Sequence, residues 1–255
     1  SKVPAITLGF WCIKILATTL GETAGDSVSM SFADSIGMTH DWGYVTGTLI
    51  FLPLLLVLVS AQVLARRFRP WLYWATIIAS TMAGTTMADY ATRSLGIGYP
   101  GGSSLLFALV LACLLAWRAT AGHIAADAIA SRRDEAFYWL TITFSQTLGT
   151  ALGDWVADMP GVGYSGGALI FGAALLAAWL LYRFTGLSRV LLFWAAFILT
   201  RPLGATVGDF LDKPLASGGL DFSRPLASAV LVVAIGALIA LLPQRAGGHP
   251  KGAAA

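Results

Sequence analysis

The chain has 255 residues, 57% of them hydrophobic and 11% charged, with a mean hydropathy of +0.75 and a formal net charge of +3. A soluble domain carries about 25% charged residues, so this composition belongs to a membrane protein and leaves no stretch that reads as a separate soluble domain. The positive charge comes from arginines and lysines in loops and forms no aromatic-interleaved basic patch, which argues against nucleic acid as a partner and makes these residues reporters of membrane orientation.

A first apolar stretch, 3–29, is long enough to cross a bilayer, which takes about 20 residues. It has no basic leader and reads as a retained helix, not a cleaved signal peptide. Spans of the same kind follow at 72–92, 136–157 and 189–211, each preceding a plainer apolar segment, at 44–65, 103–117, 167–182 and 225–242. The first member of every pair carries Trp-x9-Gly-x4-Asp with fixed spacing: Trp11/Gly21/Asp26, Trp74/Gly84/Asp89, Trp139/Gly149/Asp154 and Trp194/Gly204/Asp209. The expected fold is therefore all-α, a single transmembrane domain of eight helices in four parallel two-helix repeats. These run over 3–69, 70–122, 135–186 and 188–244, with a flexible tail at 245–255.

The turn inside each repeat also recurs. Gly43-Tyr44, Gly98-Tyr99 and Gly163-Tyr164 each open a Gly-Tyr-x-x-Gly cluster of the kind that ends helices, while the fourth repeat has Gly218-Gly219-Leu220-Asp221 instead. Arg66, Arg67, Arg69, Arg118, Arg132, Arg133, Arg183, Arg189 and Arg245 fall where even spans end or odd spans begin. By the positive-inside rule that side, with both termini, is cytoplasmic, and Asp34, Asp41 and Asp221 lie outside.

Counting in fours along each motif helix follows one helical face. The stripe reads Lys14, Thr18, Glu22, Asp26; then Ile77, Thr81, Thr85, Asp89; then Ile142, Gln146, Thr150, Asp154; then Phe197, Arg201, Ala205, Asp209. Beside it run Gly21/Gly25, Gly84/Ala88, Gly149/Gly153 and Gly204/Gly208, a small-xxx-small pattern that reads first as close helix packing. The motif helices are expected to pack centrally with their stripes turned inward.

An ionisable side chain at mid-membrane depth costs several kcal/mol unless paired or wet, so Glu22, Arg201 and Lys14 point to a polar interior. For the aspartates two readings stay open, since each lies about 22 Å from its Trp and could also cap the end of its helix. The interior reading makes Glu22, Asp26, Asp89, Asp154 and Asp209 cation ligands, a tentative metal set, with Lys14 and Arg201 compensating their charge and Thr18, Thr81, Thr85, Gln146 and Thr150 auxiliary. Five acids against two cations leave an acidic excess, and such oxygen ligands suit hard divalent cations such as manganese, magnesium or calcium. The tryptophans read as interfacial anchors, His40, His123 and His249 as solvated loop residues, and Cys12 and Cys113 as small buried hydrophobes.

These motifs resemble a family of bacterial integral membrane proteins built from four tandem repeats of unknown function. The resemblance implies a bacterial inner-membrane location and a four-repeat architecture, and brings no substrate or catalytic residue. No Ser-His-Asp, His-Glu-x-x-His or Gly-x-Ser-x-Gly arrangement indicates an enzyme, and no cofactor is expected beyond a divalent cation as substrate. The expected function is secondary transport of a small cation, proton-coupled. The alternatives are a cation channel on the same site, or a membrane sensor or structural protein whose outer acids Asp34, Asp41 and Asp221 bind a periplasmic ligand. Lipid and a small cation are the expected partners, and a homo-oligomer is compatible with the chain.

Overall fold

A computed structural model describes residues 1–124, 129 and 131–248. The expected tail 245–255 and His249 therefore lie partly or wholly outside the described residues. Eight long helices follow in chain order: α1 (Leu8–Asp26), α2 (His40–Leu64), α3 (Pro70–Asp89), α4 (Gly98–Ala121), α5 (Arg132–Ala157), α6 (Gly163–Phe184), α7 (Arg189–Asp212) and α8 (Arg224–Leu241). Local sequence sets their starts. Thr7, Ser131 and Ser188 accept the N–H groups of Phe10, Asp134 and Leu191 as N-caps of α1, α5 and α7, and Pro70 and Pro225 occupy first-turn positions that need no donor. After Asp26 and Asp89 the helices widen into π turns, Ser27–Phe32 and Tyr90–Ser94.

Helices α1, α3, α5 and α7 form a closed inner ring: α1 packs on α3, α3 on α5, α5 on α7, and α7 back on α1. The outer helices are staggered by one repeat. Helix α2 lies mainly on α3, α4 on α5, α6 on α7, and α8 on α1, so each outer helix covers the inner helix of the following repeat and the last closes on the first. Five helices, α2, α4, α6, α7 and α8, are long and apolar enough to cross a membrane by length and composition. Helices α1, α3 and α5 are the polar-striped members of the ring. At 19, 20 and 26 residues they are about 28 Å long or more, close to the hydrocarbon thickness, and they lie alongside α7 and the outer helices. Their polar residues face the protein interior, where a hydropathy average that treats every side chain as lipid-facing undervalues them.

The exposed large apolar residues lie mostly on the outer helices, among them Leu49 and Val57 on α2, Leu105 and Leu115 on α4, Leu169 and Trp179 on α6, and Val230 and Val233 on α8. A soluble protein does not present a belt of this extent, and lipid accounts for it. Cys12 is also exposed, against the expectation that both cysteines are buried; Cys113 is buried.

Three other expectations are corrected. The Gly-Tyr clusters do not end helices: Gly98 and Gly163, with φ of +64° and +63°, begin α4 and α6, so the clusters form the first turns of the outer helices. Glycines within them, Gly43, Gly102 and Gly167, let the backbone close on Ser29, Thr92 and Thr206. Residues Arg245 and Gly247 are not free tail, because Ala5 N–H donates to Arg245 O at 2.8 Å and Gly247 N–H to Val3 O at 2.8 Å. His40 is not merely solvated, its Nε2 lying 2.9 Å from Asp34 Oδ1.

The inner ring closes through the motif glycines, in fourfold fashion. A Cβ on Gly21 would strike Thr81, on Gly84 Gln146, on Gly149 Arg201, and on Gly204 Thr18, each on the next helix of the ring. One turn on, Gly25 faces Thr85, Gly153 faces Ala205, and Gly208 faces Glu22. Gly149→Leu is therefore expected to lower stability by about 1–3 kcal/mol by overpacking, measured as unfolding in detergent. Gly172→Leu on α6, where no atom lies within 4 Å, is expected to change nothing. Equal stability of the two variants would mean that α5 and α7 do not meet at Gly149.

Candidate functional site

The ring turns all four stripes inward, and no stripe residue is more than 3% exposed. They stack in four levels. Lys14, Ile77, Ile142 and Phe197 are nearest the basic end; Thr18, Thr81, Gln146 and Arg201 come next; then Glu22, Thr85, Thr150 and Ala205; and last Asp26, Asp89, Asp154 and Asp209 at the acidic end. The threonines join helices: Thr18 Oγ1 donates to Thr200 O at 3.0 Å, Thr81 Oγ1 to Ala17 O at 3.2 Å and Thr85 Oγ1 to Gly21 O at 3.0 Å. Thr150 Oγ1 donates within its own helix, to Gln146 O at 3.4 Å.

Arg201 lies at the centre of this interior. Its Nη2 donates to Glu22 Oε2 at 2.9 Å and to Thr85 Oγ1 at 2.6 Å, and its Nη1 to Thr18 O at 3.2 Å, so one guanidinium from α7 holds α1 and α3. Lys14 makes no hydrogen bond; its ammonium sits 4.1 Å from the centre of the Phe197 ring, a cation–π contact. Neither polar atom of the Gln146 side chain has a partner.

The five acids fall into two groups. Between α3 and α5, Arg93 approaches Asp89 Oδ1 with its Nε at 3.2 Å and donates from Nη2 to Asp154 Oδ2 at 2.9 Å. Between α7 and α1, Lys213 Nζ lies 2.5 Å from Asp26 Oδ2 and 3.0 Å from Asp209 Oδ1. On that side Glu22 joins Asp26 and Asp209, and one oxygen from each lies within 4.8 Å of the others. This is the one cluster of ligand type among the described residues, and it is fully buried. Beside it Arg224 Nε pairs with Asp212 Oδ2 at 3.2 Å and Nη1 donates to Ser31 Oγ at 3.0 Å.

The acidic excess expected from the stripe is smaller than the sequence count suggests. Arg93 and Lys213 join Lys14 and Arg201, so five carboxylates face four cations. Both were missed as counterions because the count in fours stopped at the aspartates. One more step gives Met30, Arg93, Asp158 and Lys213, which places a cation on alternate repeats and shows the signal that would have found them. Each of the two bridges its own aspartate and that of the next repeat.

At the basic end three of the four motif tryptophans are not interfacial anchors, while Trp11 is half-buried. Trp74, Trp139 and Trp194 are buried and pack with Phe10, Tyr73, Tyr138 and Phe193 into an aromatic layer across the ring. Tyr73 and Tyr138 share a hydroxyl–hydroxyl hydrogen bond of 2.7 Å there. The inner helices bring these rings to one height, and burying them against each other is more favourable than leaving them at the interface. With Ile77, Ile142 and Phe197 above it, this layer closes the polar interior toward the basic end. The outer acids Asp34, Asp41 and Asp221 are exposed, unlike the stripe: Asp34 contacts His40, and Asp41 Oδ1 accepts from Ser94 Oγ at 2.5 Å.

The helices, the membrane-facing belt and the buried acidic triad describe a multi-pass membrane protein with a polar core. No curated protein and no solved structure matches the chain. Four segments, residues 9–68, 72–123, 137–187 and 192–243, match the family described as Repeat of Unknown Function (DUF347), and each holds one inner and one outer helix. The chain thus belongs to that family, with four tandem copies of its repeat.

Proposed function

We propose that the protein is a secondary transporter that exchanges protons for a small, hard cation, a divalent metal ion such as manganese, in a bacterial inner membrane. The observation that carries this reading is the meeting of Glu22, Asp26 and Asp209, buried inside the helix bundle, with oxygens within 4.8 Å of one another. Placing three carboxylates there is costly unless a cation or proton neutralises them, and an all-oxygen donor set suits hard cations. Carboxylates must lose their protons to bind a metal, so proton and metal compete for the same oxygens, and binding strengthens as pH rises. The single carboxylate left in excess of cations gives a proton a place when the metal has gone. The closed aromatic layer at the basic end supports a gated carrier over an open channel. The sensor reading has less support, because Asp34 and Asp41 are exposed and each is already bonded, to His40 and to Ser94.

The positive-inside rule supports a cytoplasmic side for the arginine-rich end. In cells, a cysteine substituted for Arg67 should then react only with a reagent admitted to the cytoplasm, and one substituted for Asp41 from outside. In proteoliposomes, an imposed pH gradient should drive Mn2+ flux, and flux should reverse with the gradient. No flux of Mn2+ or any other small cation under either gradient would remove the transporter reading and leave the sensor or structural one.

A further inference from the structure

Lys213 holds the position between Asp26 and Asp209, and it differs in kind from the other cation at the acidic end. Arg93 uses two nitrogens of one planar group, Nε toward Asp89 and Nη2 on Asp154, and such a fork is fixed by its geometry. Lys213 presents a single ammonium on a flexible four-carbon stem. Its backbone is held: its N–H donates to Asp209 O at 2.9 Å, its O accepts from Asp221 N–H at 2.9 Å, and a Cβ on Gly219 would collide with its carbonyl. Any displacement therefore falls to the side chain, which at 11% exposed lies at the edge of the buried cluster. Asp26 Oδ1, fully buried in the cluster, has no hydrogen-bond partner. Lys213 satisfies one oxygen of that carboxylate and leaves the other without a partner.

Charge fixes what can replace it. Arg93 pairs with Asp89 and Asp154, and Arg224 with Asp212, so with Lys213 withdrawn the three carboxylates Glu22, Asp26 and Asp209 face Arg201 alone, a deficit of two positive charges. A divalent cation cancels that deficit and a monovalent one leaves half of it. We propose that Lys213 is a tethered stand-in cation, which fills the Glu22–Asp26–Asp209 site until a divalent metal ion displaces its ammonium toward the acidic end. This deepens the transport reading above and rests on it. A built-in occupant also means that the empty carrier never holds bare carboxylates, so the site can turn back to its first side without its metal.

The test uses the full chain in detergent with Mn2+ as the probe, bound ion being read as loss of the free-Mn2+ paramagnetic resonance signal. Lys213→Met removes the competitor and should bind Mn2+ at least tenfold more tightly than the parent. Lys213→Arg replaces it with a fork that holds both aspartates and should bind at least tenfold more weakly, which keeps the test in force if Lys213→Met does not fold. In the parent, reductive methylation of Lys213, followed by peptide mass spectrometry, should run at least fivefold faster with saturating Mn2+ than without. A methylation rate indifferent to Mn2+, or equal affinities in the parent and the folded variants, would overturn the stand-in role while leaving metal transport standing. Absence of Mn2+ binding in the parent and in Lys213→Met would remove the metal reading itself, and the stand-in role with it.

Discussion

Arg201→Met is expected to destabilise the protein by about 3–5 kcal/mol, the cost of leaving a buried carboxylate without its counterion. Arg201 is wholly buried, and among the described residues its guanidinium is the one cation in contact with Glu22, while also tying α7 to the Thr85 hydroxyl of α3 and the Thr18 carbonyl of α1. Met keeps the aliphatic stem that Gly149 packs against, so the loss isolates the charge. The same reasoning predicts rescue. Adding Glu22→Gln removes the stranded charge, and the double variant should recover most of the stability lost by the single one. Unfolding in detergent measures both. An Arg201→Met protein as stable as the parent, or a double variant no better than the single, would show that the pair is not what holds the ring at that level.

Glu22→Gln and Asp209→Asn should each reduce Mn2+ flux in proteoliposomes to background. Each removes one of three converging carboxylates and substitutes an amide that neither carries charge nor binds a hard divalent cation comparably. Both replacements keep the side-chain shape and an acceptor oxygen, for Arg201 in the first and for Lys213 in the second. Asp209→Asn leaves Lys213 paired with Asp26 and should fold as the parent does, whereas Glu22→Gln strands the Arg201 charge and should lose stability, so flux is read on the monodisperse fraction of each variant and thermal unfolding is recorded beside it. Asp34→Asn, at an exposed acid outside the bundle, should transport as the parent does. Flux preserved in both interior variants would place the transported ion elsewhere or nowhere.

The inner half of this architecture was legible because its signal repeats. Trp, Gly and Asp at constant spacing fix which face of each motif helix is common to all four, and the polar residues on that face have nowhere to go but inward. The glycines then lie where the ring must close, and their contacts with Thr81, Gln146, Arg201 and Thr18 follow. What sequence could not supply was the partner choice of near-featureless surfaces. The outer helices carry apolar residues on most sides, so nothing in α2 marks it for α3 rather than α1, and the one-repeat stagger emerges only from packing. The tryptophans were misread for a related reason: a ring near the end of a span fits the lipid interface and an axial layer equally well until the neighbouring helices are known. Lys213 and Arg93 lie one turn past the last counted position, at helix ends where a cation reads as a loop charge. Their pairing with Asp26 and Asp154 depends on contacts between repeats that are distant in sequence.

The claim on which the rest depends is that Glu22, Asp26 and Asp209 hold a cation. Diffraction from crystals grown with Mn2+, recorded where manganese scatters anomalously, tests it most directly. An anomalous peak touching an oxygen of each of the three residues, with the Lys213 ammonium moved off Asp26 and Asp209, is the predicted result. An anomalous map with no peak among these carboxylates at saturating Mn2+, or with peaks only at exposed acids such as Asp34 and Asp41, would contradict the account.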